Sequence, residues 1–152
     1  MSNGQSAVEL ALMAPVLFTL LLAVGDYARV FFKNIEVADA ARAGAQYGAQ
    51  KLTTSVDTSG IANAATTDAN DIGITASNVT SSTYCTCTGS TTVITCRVSA
   101  CVSPKTEKVF VKVTVNATFN TSFNWGITLG GHHMGLPTST PLKATSELQV
   151  QP

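Results

Sequence analysis

Glu9 is the one charged side chain between Gln5 and Gly25, in the stretch QSAVELALMAPVLFTLLLAVG. A carboxylate at the edge of a membrane-length apolar run costs about 2.5–3.5 kcal/mol to insert, so it calls for a partner or a task. Gly4 stands directly before Gln5. Hydrolysis of the Gly4–Gln5 bond would supply the partner, an α-ammonium one helical turn from Glu9. The two charges could then neutralise one another as the helix packs against others. Gly4 and Gln5 are therefore candidate processing residues, and Glu9 is a candidate charge-pairing residue. This chemistry is done to the chain, not by it.

The second reactive set is Cys85, Cys87, Cys96 and Cys101, an even number of thiols within a short stretch. In a chain with an export-type N-terminus they read as two disulfides formed outside the cytoplasm. The other reading is zinc, held by four sulfurs, but zinc knuckles favour C-x2–4-C and C-x-C puts both side chains on one strand face. Spacing leaves the connectivity open. The preferred arrangement nests Cys87 with Cys96 and Cys85 with Cys101, because a Thr88–Thr91 turn would set them opposite one another.

Little else could do chemistry. His132 and His133 are adjacent, so a regular element sends them different ways, and no acid lies near them in sequence. There is no G-x-S-x-G elbow, no phosphate loop and no carboxylate pair outside the N-terminal segment. An enzyme is not expected, nor a metal or cofactor, nor a small-molecule substrate. Charged residues are 12% of the chain and the formal net charge is zero, which argues against nucleic acid. A surface of Ser, Thr, Asn and Ala suits a protein packed against copies or partners.

These residues need a long helix and a small head, an α+β chain. Residues 5–52 read as one helix, apolar without interruption to Val24 and then along a stripe at Tyr27, Val30, Phe31, Ile35, Ala38 and Ala41. Ala7 to Ala28 is long enough to cross a bilayer, with the rest of the helix covered by the head. Pro15 predicts a kink or local opening there. Ala40, Gly44 and Gly48 form one row of small residues and Ala41, Ala45 and Ala49 the next. Such rows fit either helix association or close packing under the chain's own sheet. Asp26 and Arg29 read as a solvated or interfacial pair. Asp57 can cap a short helix over residues 61–69. Residues 78–86 and 91–98 frame a hairpin, Val109, Val111, Val113 and Val115 alternate as a strand with its aliphatic face inward, and residues 143–150 give a last strand with Ala144, Leu148 and Val150 inward. Phe119, Phe123 and Trp125 precede a loop, GGHHMGLPTSTP. The domain reading is a leader at 1–4, a transmembrane and assembly helix at 5–52, and an extracytoplasmic, disulfide-bonded head at 53–152.

SAVELALMAPVLFTLL, GDYARVFF and ADAARAGAQYGAQ together resemble the TadE-like proteins, type IV pilin-like components of Tad pilus systems. The resemblance covers residues 4–50 and is weak beyond. It implies Gly4 as the residue before a bond cut by a prepilin peptidase, Glu9 as the pilin glutamate, and a small sheet packed on the long helix. It also implies a minor pilin or pseudopilin whose partners are other pilin or pseudopilin subunits, met through N-terminal helices. The chain would sit in the cytoplasmic membrane with its head outside, and later in a pilus or at the cell surface. Three alternatives stay open: the main filament subunit, an uncleaved anchor presenting a binding or adhesin head, and a secreted protein cut before Asp26. The basic residues Arg29, Lys33 and Arg42 all follow the apolar run, so a positive-inside count would place the head in the cytoplasm; the cysteines argue for the outside.

Overall fold

The computed structural model describes residues 3–96, 101–102, 104–121, 126–135 and 138–151. Phe123, Trp125, Val98, residues 136–137 of the Gly/Pro stretch and the first two leader positions lie outside the described residues. The chain is α+β: a long N-terminal helix followed by a three-stranded antiparallel sheet and a two-stranded one. Chain contacts divide it into two compact units, one of Met1–Phe32 with Phe119–Thr140, the other of Lys33–Thr118 with Pro141–Pro152.

Helix α1 runs Asn3–Ala49, 47 residues, and continues through Pro15. Proline removes the amide that would bond the Ala11 carbonyl. One turn on, the Thr19 hydroxyl donates to the Pro15 carbonyl (3.0 Å) and the Val16 carbonyl (2.8 Å). The helix ends earlier than residue 52. A short 3-10 turn at Thr54–Val56 follows, and then α2, Thr58–Asp68.

In the larger unit the core lies between the end of α1, α2 and the sheet. The small-residue rows are what let these elements meet. Val37, Ala40, Ala41, Ala45 and Ala49 are buried, at the three- and four-residue spacing that makes one helix face. A β-carbon built on Gly44 would lie 3.1 Å from Val113 Cγ1 and 3.4 Å from Ala65 Cβ; one on Gly48 would lie 2.9 Å from Val111 Cγ2 and 3.1 Å from Ile61 Cδ1. Hence glycine at these two turns brings the helix backbone against its own sheet and α2. Of the two uses open to these rows, the chain's own packing takes up Ala40, Ala41, Gly44, Ala45 and Gly48.

The buried face differs from the expected stripe. Tyr27, Phe31 and Ile35 are exposed, Val30 and Ala38 are half-buried and Ala41 is buried, and the covered residues nearby include Val37, Ala40 and Gly44. Hydrophobicity alone does not distinguish a face meant for a sheet from one meant for another apolar medium.

The sheet is ordered β1-β2-β5, with β1 at Val79–Cys87, β2 at Glu107–Asn120 and β5 at Ser139–Gln149. Strand β1 pairs antiparallel with β2, Tyr84 opposite Phe110 and Cys85 opposite Val109. Val111, Val113 and Val115 are fully buried, as their alternation required, while Val109 is half-buried; Leu142 of β5 and Val150 just past its end are buried too, Ala144 is half-buried and Leu148 is exposed. Among the described residues the hairpin expected between residues 78–86 and 91–98 is reduced to a single antiparallel bridge, Ile94 to Cys85, and β1 takes β2 as its strand partner. That pairing aligns the buried valines and stacks Tyr84 on Phe110 with ring centroids 5.3 Å apart.

In the smaller unit, β3 (Gly126–Leu129) and β4 (His132–Gly135) form a hairpin where a plain loop was expected, and it contains both histidines. Gly130 and Gly131 are its two-residue turn, both at positive φ (61° and 84°), the geometry that a Gly-Gly pair supplies without strain. Also in this unit, Asp26 is buried rather than solvated. Its carboxylate lies 3.6 Å from the Arg29 guanidinium, which stacks over the Phe119 ring at 5.9 Å.

Candidate functional site

The Gly4–Gln5 bond, the expected processing junction, sits on the first turn of α1. Gly4 is exposed, and a β-carbon there would meet nothing within 4 Å. The fold itself therefore gives no steric reason for glycine at this position. Glu9 is exposed as well, at four-residue spacing from Gln5, so about 6 Å further along the helix axis. The helix places the two on one face, one turn apart.

Beyond Glu9 the helix is apolar on every side. Val8, Leu10, Leu12, Met13, Val16 and Leu17, with Phe18 to Leu22 and Val24, are largely exposed. Ala7 onward is one helix long and apolar enough to cross a membrane, and the apolar window within it has no buried residue. From Ala7 to Val24 the rise is about 26 Å, close to the ~30 Å hydrocarbon thickness of a bilayer. A soluble core helix would show one covered face; this stretch shows none. By length and composition the segment is suited to crossing a membrane.

The four cysteines form two disulfides, Cys85–Cys96 and Cys87–Cys101, with Cα separations of 5.1 and 5.6 Å. The nested pairing expected from the sequence is thus corrected. Ile94 bridges Cys85 through the backbone, with Ile94 N–H donating to the Cys85 carbonyl at 2.8 Å, and this sets Cys96 beside Cys85. Cys87 is left for Cys101. With the sulfurs joined in pairs there are no thiolates for a zinc ion.

Two polar clusters support the head. At the start of α2 the Asp57 carboxylate accepts from Gly60 N–H (3.0 Å), Ser59 Oγ (2.7 Å) and Tyr47 OH (2.9 Å). The Gly60 amide, then the Ser59 and Tyr47 hydroxyls, hold its pKa below the usual carboxylate value. Gly60 must lack a side chain, because a β-carbon would run into the Asp57 carboxylate and the Tyr47 ring. This is the cap that the sequence indicated. On the solvent face of the sheet, Glu147 pairs with Lys112 (2.7 Å) and accepts from Tyr84 OH (3.0 Å). The Lys112 hydrogen bond, then that of Tyr84, lowers its pKa. Nothing in the spacing of these three residues announced them, since they come from three strands.

Neither cluster pairs a nucleophile with a base in a recess. The groove beside the first disulfide, about 230 Å³, is lined by Leu52, Ser55, Val56, Thr83, Cys96, Glu107 and Val109.

A comparison with protein families matches residues 4–46 to the family described as TadE-like protein. No curated protein and no solved structure matches the chain. The matched segment contains the Gly4–Gln5 junction, Glu9, the apolar run and the small-residue turns through Gly44. Residues 4–46 are thus similar to the TadE-like proteins, a likeness that covers the N-terminal helix and not the head.

Proposed function

We propose that the chain is a minor pilin or pseudopilin of a Tad-type pilus, cut after Gly4 by a prepilin peptidase and assembled through its N-terminal helix. The observation that carries this reading is the bare apolar stretch of α1, headed by an exposed Glu9 and an exposed Gly4. The peptidase removes residues 1–4, and the Gln5 α-ammonium becomes the counter-charge of Glu9. In the membrane, lipid covers the helix. In the filament, the helices of neighbouring subunits do, and burial of apolar surface at about 25 cal/mol per Å² drives the exchange without covalent links. The head, residues 53–152 with its two disulfides, lies outside the cytoplasmic membrane; the disulfides support that side, because they persist in oxidising compartments.

The reading is tested by shearing pili from cells that express the tagged chain and cross-linking the remaining envelope. Expected is recovery of the chain in the pilus fraction or cross-linked to pilus subunits. A chain found only as an isolated membrane protein would favour the alternative of an uncleaved anchor.

A further inference from the structure

Just past the apolar run, α1 becomes two-sided. Asp26 is 3% exposed and Val30 half-buried, whereas Tyr27, Phe31 and Phe32 are 60%, 64% and 68% exposed. Tyr27 and Phe31 stand one turn apart on one face, with Phe32 beside Phe31 and Asp26 on the far side. Three large aromatic side chains bare to solvent, joined without interruption to an apolar rod, form a surface that needs a cover.

We propose that this aromatic face docks on the lipid headgroup layer, fixing how deep α1 sits in the membrane. Three observations select lipid over another helix. The first is position. From Ala7 to Phe32 the helix rises about 38 Å, so a hydrocarbon layer of about 30 Å filled from Ala7 ends near Asp26 and leaves Tyr27–Phe32 in the headgroup region. The second is composition. Tyrosine flanked by the cations Arg29 and Lys33 is the chemistry of a membrane–water boundary, where a ring lies against acyl chain and its hydroxyl and nearby cations meet phosphate. Arg29 is suited to this, since its side chain is 60% exposed although it also contacts Asp26 and the Phe119 ring. The third is size. Close association of helices in lipid uses small residues, and the chain's small-residue rows at Ala40–Gly48 are already packed under its own sheet. Bulky aromatics at Tyr27, Phe31 and Phe32 fit a headgroup layer better than a tight helix seam.

The surface requires membrane insertion of α1 but not processing after Gly4 or incorporation into a pilus. The two can fail separately. The test uses the full-length chain with its single tryptophan replaced, Trp125→Phe, reconstituted in phosphatidylcholine–phosphatidylglycerol vesicles. A reporter is introduced as Phe31→Trp, and in a second variant as Leu17→Trp. Expected for Phe31→Trp is at least twofold stronger quenching by lipid brominated near the headgroup than by lipid brominated near the chain end, with weak quenching by aqueous iodide. Leu17→Trp should show the reverse order between the two lipids. Strong iodide quenching at Phe31→Trp without lipid quenching would overturn the proposal, as would shielding from both, which would mean a protein cover. Loss of deep quenching at Leu17→Trp would overturn it too, by showing that the helix is not inserted.

Discussion

A β-carbon on Gly48 would stand 2.9 Å from Val111 Cγ2, so helix α1 touches strand β2 through the absence of a side chain. The end of the helix and the sheet are thereby one packed unit, with Val111 and Val113 seated against the turns at Gly44 and Gly48.

Gly48→Val is expected to destabilise the head by about 2–3 kcal/mol, since overpacking a close contact outweighs the helix propensity that glycine lacks. Gly25→Ala, where a β-carbon meets nothing within 4 Å, should leave the head's unfolding midpoint unchanged. Denaturant unfolding of both variants, followed by circular dichroism, checks the pair.

Removing either disulfide as a pair, Cys85→Ser with Cys96→Ser or Cys87→Ser with Cys101→Ser, should cost about 2–4 kcal/mol, the range for loops of this size. Partial reduction and alkylation followed by peptide mass spectrometry should recover Cys85 joined to Cys96 and Cys87 to Cys101. Recovery of the nested set would contradict the strand-edge geometry at Ile94.

Asp57 adds stability that depends on pH. Its folded pKa is depressed by the Gly60, Ser59 and Tyr47 donors, so the contribution is fully present above the unfolded carboxylate value near ~3.9 and is lost as pH falls through the folded value. Asp57→Asn keeps an acceptor for the α2 cap but removes that titration. Acid unfolding of the variant should show a shallower fall in stability below about pH 4 than the parent.

How much of this was legible in the chain depended on how local each feature is. The long helix, the Asp57 cap and the Val109–Val115 strand depend on nearby spacing, and all three are present, with the helix ending at Ala49 rather than at residue 52 and Val109 only half-buried. The disulfide pairing was not readable, because C-x-C presents two neighbouring sulfurs and only the Ile94 bridge selects which one meets Cys96. The partner of β1 was missed for a related reason. A nearby segment costs less loop entropy than β2, but β2 brings buried valines and Phe110. The β3–β4 turn was missed although its signal, Gly130-Gly131, was present. The Tyr27–Phe31 face could not be assigned a side from periodicity, since sheet and lipid ask for the same apolar residues. At the candidate site, the structure adds to Gly4 and Glu9 only that both are exposed on α1, and their roles rest on the consecutive residues around them.

Glu9→Ala should leave head stability unchanged, since Glu9 is exposed and far in sequence from the core. Insertion should be intact or improved, because a charge is removed from the apolar run. Pilus assembly should fall sharply. Membrane fractionation together with a count of sheared pili separates these effects, and normal piliation would count against the charge-pairing role.

The central claim, that proteolysis at Gly4 exposes a cation for Glu9, is tested most directly by the N-terminus of the chain recovered from membranes and pili. Intact mass and Edman sequencing are expected to find Gln5 as the first residue, with residues 1–4 removed. A native chain that begins at Met1, or at Asp26, would contradict it.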